Sequence, residues 1–231
     1  AFLQCEISSL RRTIRNLDLN RIFAIKTINM TILLFTTNQH KKQEFQTLFN
    51  QYMPAVSIIT PNELGLTMPE VEEDGSSFAE NAYLKALAMA YTTPFPVLAD
   101  DSGLSVHALD NNPGIKSARY AGENASDAQN RQLLCDNLKK IELQQSTAHF
   151  TAALAFIDTQ RAFIVEAECY GKITINEQGT NGFGYDPLFI PDGYDITFAQ
   201  CDATTKNTIS HRAKALLTLI ETLRSYDYFQ S

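Results

Sequence analysis

The sequence predicts an α/β fold, a mixed sheet with flanking helices, and three observations predict it. Short apolar runs of strand length alternate with segments whose apolar residues recur at helical spacing. Two longer runs, residues 150–158 and 162–175, read as a hairpin turning at Thr159 and Gln160. With 231 residues, 44% of them hydrophobic and 19% charged, the chain can bury a sizeable core in one large domain or two closely joined lobes.

The elements follow in order. A short apolar strand over residues 31–37 leads into a helix that carries Phe45, Leu48, Phe49 and Tyr52 on one face. A second strand covers residues 56–60. Ser77 and Glu80 have capping-box spacing before an Ala-rich helix that reaches about Tyr91. Pro94 and Pro96 separate that helix from a strand over residues 97–101. The pair Ser126 and Gln129 starts a helix from Asp127 to about Ile141, and the hairpin follows. The last helix, residues 209–224, has Leu216, Leu217, Leu219 and Ile220 to bury.

Composition excludes several classes. No apolar run approaches the roughly 20 residues that cross a bilayer, so a soluble protein with no membrane partner is expected. Cys5, Cys135, Cys169 and Cys201 lie far apart without a Cys-x-x-Cys pair, which argues for reduced thiols in a cytoplasm. A net charge of -7 argues against sequence-independent nucleic-acid binding, which needs clustered Lys and Arg. Residues 1–29 hold five basic and two acidic residues, and Met30 looks like a natural beginning. That extension is read first as an upstream translation artefact, with a targeting peptide or docking helix as alternatives. Residues 30–231 then form the single functional domain.

Five segments carry candidate chemistry. Thr36, Thr37, Asn38, Gln39, His40 and Lys41 span the end of the first strand and the start of the first helix, where free N–H groups and the helix dipole attract an anion. Glu70, Glu72, Glu73 and Asp74 cluster before Gly75 and would either solvate as an acidic loop or share a hard cation. Asp100, Asp101, Ser102 and Gly103 are read as ending an apolar strand, with the two aspartates pointing to opposite sides. Phe183, Gly184, Tyr185 and Asp186 join glycine-permitted backbone approach to two aromatics, one of which would stack on a base. Lys206, Ser210, His211 and Arg212 bring cationic groups and N–H donors to the start of the last helix. Taken singly, each segment also reads as an ordinary cap, turn or loop.

Taken together and in order, the segments Thr37-Asn38-x-x-Lys41, Glu80-Asn81-Ala82, Ala99 to Leu104, Pro113-Gly114-Ile115, Ser117 to Tyr120, Gly182 to Pro187 and Ser210-His211-Arg212 resemble the inosine triphosphate pyrophosphatase family. The resemblance runs from Met30 to about Leu223. It implies an elongated fold with two lobes around a central cleft, a homodimer, a Mg2+ cofactor, and hydrolysis of inosine, deoxyinosine and xanthosine triphosphates to monophosphate and pyrophosphate. By position it implies Asp101 as general base and metal ligand, Glu72 as the second metal carboxylate with Glu73 as fallback, and Ser102 as a substrate contact. It implies that residues 36–41 with Lys206 hold the triphosphate, that Lys85 also reaches phosphate, and that residues 183–186 with His211 and Arg212 form the nucleoside pocket. Thr37 departs from the Gly or Ser common at that position, which puts the phosphate turn in question. Two other readings compete: a related pyrophosphatase for pyrimidine or modified nucleotides, against which Ser210-His211-Arg212 stands, and a nucleotide sensor without turnover, which would have no need of Asp101.

Overall fold

The computed structural model describes residues 30–226 and residue 228; the basic extension and Cys5 lie outside them. Strand β1 (Met30–Phe35) leads through an Asn38 cap into helix α1 (Gln39–Tyr52), whose Phe45, Leu48, Phe49 and Tyr52 are all buried. Strand β2 (Val56–Ile59) and a 3-10 turn (Pro61–Leu64) precede a long irregular segment and helix α2 (Phe78–Ala90). Strand β3 (Val97–Val106), a two-residue strand β4 (Asn112–Pro113) and a 3-10 segment (Gly114–Arg119) come next. Helix α3 (Asp127–Lys140) is followed by the hairpin of β5 (Gln145–Ile157) and β6 (Ala162–Thr174). Strand β7 (Phe189–Pro191), the short helix α4 (Ala203–Ile209) and helix α5 (His211–Ser225) complete the chain.

The seven strands form one mixed sheet in the order β2-β1-β3-β5-β6-β7, with β4 beside β3. β1 is parallel to both β2 and β3, while the pairings of β3 with β5, β5 with β6 and β6 with β7 are antiparallel. Among the described residues no helix is long and apolar enough to cross a membrane.

Three local expectations need correction. β3 does not end at Asp101: it runs on to Val106, because Leu104 and Val106 continue the buried pattern and β5 pairs with it along its whole length. The last helix begins at His211, since the extended backbone of Ser210 separates it from α4 and its side chain caps α5 by accepting the Ala213 N–H. Only half of the capping box forms at α2. Ser77 accepts the Glu80 N–H, but the Glu80 carboxylate turns to the N–H and hydroxyl of Ser76.

Apolar side chains gather in three cores. One packs α1 and α5 on a sheet face around Leu34, Leu98 and Phe156. A second packs α2 on the opposite face around Leu33, Ala99 and Ala155. The third lies farther along the hairpin, where Leu104, Phe150 and Phe189 meet α3. Along β3, Leu98 belongs to the first core, Ala99 to the second and Leu104 to the third, so residues 100–103 lie where the strand passes between them.

Candidate active site

β1 last pairs with β3 at Phe35 and Ala99, and β4 first pairs with it at Ser105. Between those points the edge of β3 is unpaired by any strand, leaving a notch. Lys41 donates to the Asp100 carbonyl at 3.5 Å, and Ser117 Oγ accepts the Leu104 N–H at 2.8 Å. Residues two apart on a strand present their backbone groups to the same edge, so Ser102 turns its N–H and C=O into the notch as well. Gly103 is required here: an added Cβ would lie 2.4 Å from Ser117 Oγ and 2.5 Å from the Gly114 carbonyl.

Pleating sends Asp100 and Asp101 to opposite faces. Asp100 is buried and ion-paired with Lys41 at 2.8 Å and Arg212 at 3.2 Å, and accepts the Ser102 hydroxyl at 3.0 Å. Burial pushes its carboxyl up, but the Arg212 and Lys41 charges overcome that and hold it well below the usual carboxylate range. Arg212 also pairs with Glu44 at 2.9 Å and donates to Ser102 Oγ at 2.6 Å, which occupies three of its five N–H groups. Lys206 is buried between Asp186 at 2.8 Å and Glu44 at 3.5 Å. Burial keeps the Asp186 carboxyl raised in spite of Lys206. His211 lies on Phe150 at 4.7 Å, and burial together with Arg212 and Lys206 drives its pKa well below the ordinary imidazole value, so the ring is neutral.

On the other face Asp101 receives Lys85 at 2.6 Å and the Asn81 side-chain N–H at 3.3 Å. Burial raises the Asp101 carboxyl, and Lys85 only partly opposes that. Lys85 reaches Glu73 as well, at 2.9 Å, so two carboxylates share one ammonium, and their pull outweighs burial and raises the Lys85 pKa. Arg119 anchors the same loop through the Glu73 carbonyl at 3.1 Å and carboxylate at 3.5 Å. Among the described residues no three acidic, histidine or cysteine side chains form a ready metal cage. Asp101 with Glu73 is the pair able to hold a hard cation by one or two carboxylates, with the ligand's own oxygens completing the shell.

At the end of α1 the Asn38 side chain accepts the His40 and Lys41 N–H groups, at 2.9 and 3.1 Å. Thr36 Oγ1 accepts the Asn38 N–H. The cap therefore fills two positions the sequence leaves open for an anion; Thr37, Gln39 and His40 remain exposed. Thr37 keeps an ordinary negative φ, so its β-branch brings no strain to the turn.

Several expected residues stand elsewhere than the motifs suggest. Glu72 is exposed while its neighbour Glu73 faces Lys85. Tyr185 is buried in the third core and donates to the Ser117 carbonyl, which leaves Phe183 as the aromatic open to a ligand. Gly184 takes a left-handed φ of 60°, and Asp186 fixes the loop by accepting the Phe183 N–H. Lys206 points at Asp186 and Glu44 rather than standing free for phosphate. Sequence reasoning missed Glu44 and gave no role to Asn81, although Asn81 stands in one of the motifs that carry the resemblance. Glu44 lies on the Asn38-Lys41 face of α1, beside the apolar stripe, and Asn81 lies four residues before Lys85 on α2, so helical spacing was the available signal.

The fold and this notch define an α/β protein that gathers cations, carboxylates and a helix N-terminus around one strand edge, an arrangement suited to a small polyanion held against a carboxylate base. The chain belongs to the Ham1 family, whose model matches residues 32–222. It is 45% identical over 186 residues to a dITP/XTP pyrophosphatase of Desulfotalea psychrophila, covering 80% of this chain and 81% of that one. It is 41% identical over 191 residues to a dITP/XTP pyrophosphatase of Haemophilus influenzae, covering 81% and 96%. Among solved structures, a HAM1 protein from Coxiella burnetii aligns with a TM-score of 0.74 and 37% identity over 85% of this chain and 99% of its own. The Ham1 protein of Staphylococcus aureus aligns with a TM-score of 0.72 and the same identity and coverage.

Proposed function

We infer that this chain hydrolyses non-standard purine nucleoside triphosphates (ITP, dITP and XTP) to the monophosphate and pyrophosphate, and so cleanses the nucleotide pool. The observation that carries the reading is Asp101: a buried carboxylate with a raised pKa, beside Lys85 and next to the notch, in a family whose relatives are named for this reaction. Raising the pKa makes Asp101 a better base for water than an exposed carboxylate would be. Lys41, Lys85 and the N-terminus of α1 would hold the phosphate chain, and Ser102 would contribute backbone groups, because its hydroxyl is engaged by Asp100 and Arg212. Phe183 offers the face on which a base stacks. The two remaining Arg212 donors suit the 6-carbonyl of hypoxanthine or xanthine and mismatch the amino group of adenine.

The donor set around Lys85 fits Mg2+, with Asp101 and Glu73 as its carboxylates in preference to Glu72. When bound, Mg2+ would neutralise phosphate charge and lower the pKa of the attacking water. A homodimer and a cytoplasmic location are part of the same proposal; they rest on the family resemblance and on the thiols of Cys135, Cys169 and Cys201 staying free.

The test is product analysis with ITP, dITP, XTP and, separately, ATP, in Mg2+ or in excess chelator. Metal-dependent release of pyrophosphate that strongly favours the non-standard purines is expected, with the Mg2+ requirement shifted more by Glu73→Gln than by Glu72→Gln. Release of orthophosphate would mean a different bond is cut, and binding without any product would favour the sensor reading.

A further inference from the structure

The His40 imidazole lies flat on the Phe183 ring, with centroids 5.5 Å apart and planes 16° from parallel. His40 belongs to the first turn of α1 and Phe183 to the glycine loop, so the stack bridges the phosphate-facing and base-facing parts of the site. The motif reading placed His40 with the triphosphate; its ring instead lies on the aromatic surface that a base would need.

The two rings are not held equally. Phe183 is the better anchored: its N–H is bonded to Asp186 Oδ2 at 2.9 Å, in a loop whose Gly182 and Gly184 take left-handed φ values of 75° and 60°. Lys206 Nζ and Arg212 Cζ, both from buried side chains, stand 5.3 and 5.2 Å from its centroid. His40 is exposed, and among the described residues its imidazole makes no hydrogen bond or ion pair; only its backbone N–H is tied, to Asn38. The imidazole can therefore swing away by a side-chain rotation, while the phenyl ring keeps its Lys206 and Arg212 contacts.

We propose that His40 gates the base platform: its imidazole covers Phe183, and a purine binds by displacing it. This rests on the hydrolase reading above for the identity of the base. A purine has the larger π-face and wins the exchange, yet every base-bearing ligand must first break the His40 stack. Ligands made of phosphate alone do not meet this barrier, because they have no ring to place on Phe183.

The experiment compares wild type, His40→Ala and His40→Phe. Removing the imidazole should tighten inosine monophosphate binding, read by calorimetry, about two- to tenfold, the range expected for one aromatic stack, and lower KM for ITP in step. His40→Phe keeps a ring on the platform and should bind inosine monophosphate no better than wild type. Competitive inhibition by inorganic pyrophosphate should be the same in all three. Weaker nucleotide binding or weaker pyrophosphate inhibition in His40→Ala would assign the imidazole to phosphate and overturn the gate. Inosine monophosphate binding that is unchanged by His40→Ala, or absent from both proteins, would overturn it as well. Failure of wild type to release pyrophosphate from ITP counts against the hydrolase reading alone, because the monophosphate titration reads the stack without turnover.

Discussion

The two faces of β3 hold adjacent aspartates in opposite conditions. Asp100 lies in a lattice of Arg212, Lys41, Glu44, Lys206 and Asp186, where Arg212 and Lys41 outweigh burial and keep its carboxylate ionised into acid. Asp101 is paired with one ammonium, Lys85, that it shares with Glu73, and burial outweighs that pairing and the more distant Lys41 charge, so its proton affinity is raised. One peptide step thus separates a group that builds the site from a group that can do chemistry in it. The lesson is that burial alone does not set a carboxylate's proton affinity; the balance between burial and compensating charge does.

That contrast predicts different readouts for the two faces. The largest effect belongs to Asp101→Asn, which should lower pyrophosphate release about 10²- to 10⁴-fold while leaving the urea-unfolding midpoint closer to wild type than any charge deletion on the Asp100 face. Equal losses of activity in Asp100→Asn and Asp101→Asn, with both proteins folded, would erase the distinction. Next comes Arg212→Ala, which strands the buried Asp100 and Glu44 carboxylates and should cost about 3–5 kcal/mol of unfolding free energy. A cost near zero would mean that water reaches the lattice.

The smallest effect concerns His211. Its folded pKa lies well below the ordinary 6.5, so below that pH the unfolded chain takes up a proton that the folded chain refuses. Stability is then full above about pH 6.5 and falls as the pH drops, at up to about 1.4 kcal/mol per unit for this one group. Denaturation curves between pH 7 and 5 should show a shallower decline in His211→Phe than in wild type; identical slopes would place His211 in contact with solvent.

Much of this was legible in the sequence because period carries the information. The α1 stripe Phe45, Leu48, Phe49 and Tyr52 is buried as its spacing requires, and the hairpin turns where Thr159 and Gln160 stand. Where the reading failed, a local signal pointed one way and a distant contact decided otherwise. Asp-Asp-Ser-Gly has the composition of a turn, yet β5 pairs through it and β3 continues to Val106. Between Glu72 and Glu73 the sequence leaves the choice open, because they are chemically alike, and it is the fold that turns Glu73 to Lys85. Glu44 looks like one more solvated helix carboxylate until α5, 168 residues away in the chain, brings Arg212 against it.

The notch has a bearing on self-association as well. A strand edge with idle amides invites a second chain to add a strand and nucleate aggregates. Here the gap is short, Lys41 occupies the Asp100 carbonyl and Ser117 takes the Leu104 amide, so an incoming strand would meet a nearly finished set of hydrogen bonds beside buried charges it could not neutralise. The gap in the sheet is thus open to a ligand rich in negative charge and closed to a neighbouring backbone, which lets the protein keep an unpaired edge without the usual risk of sticking to itself.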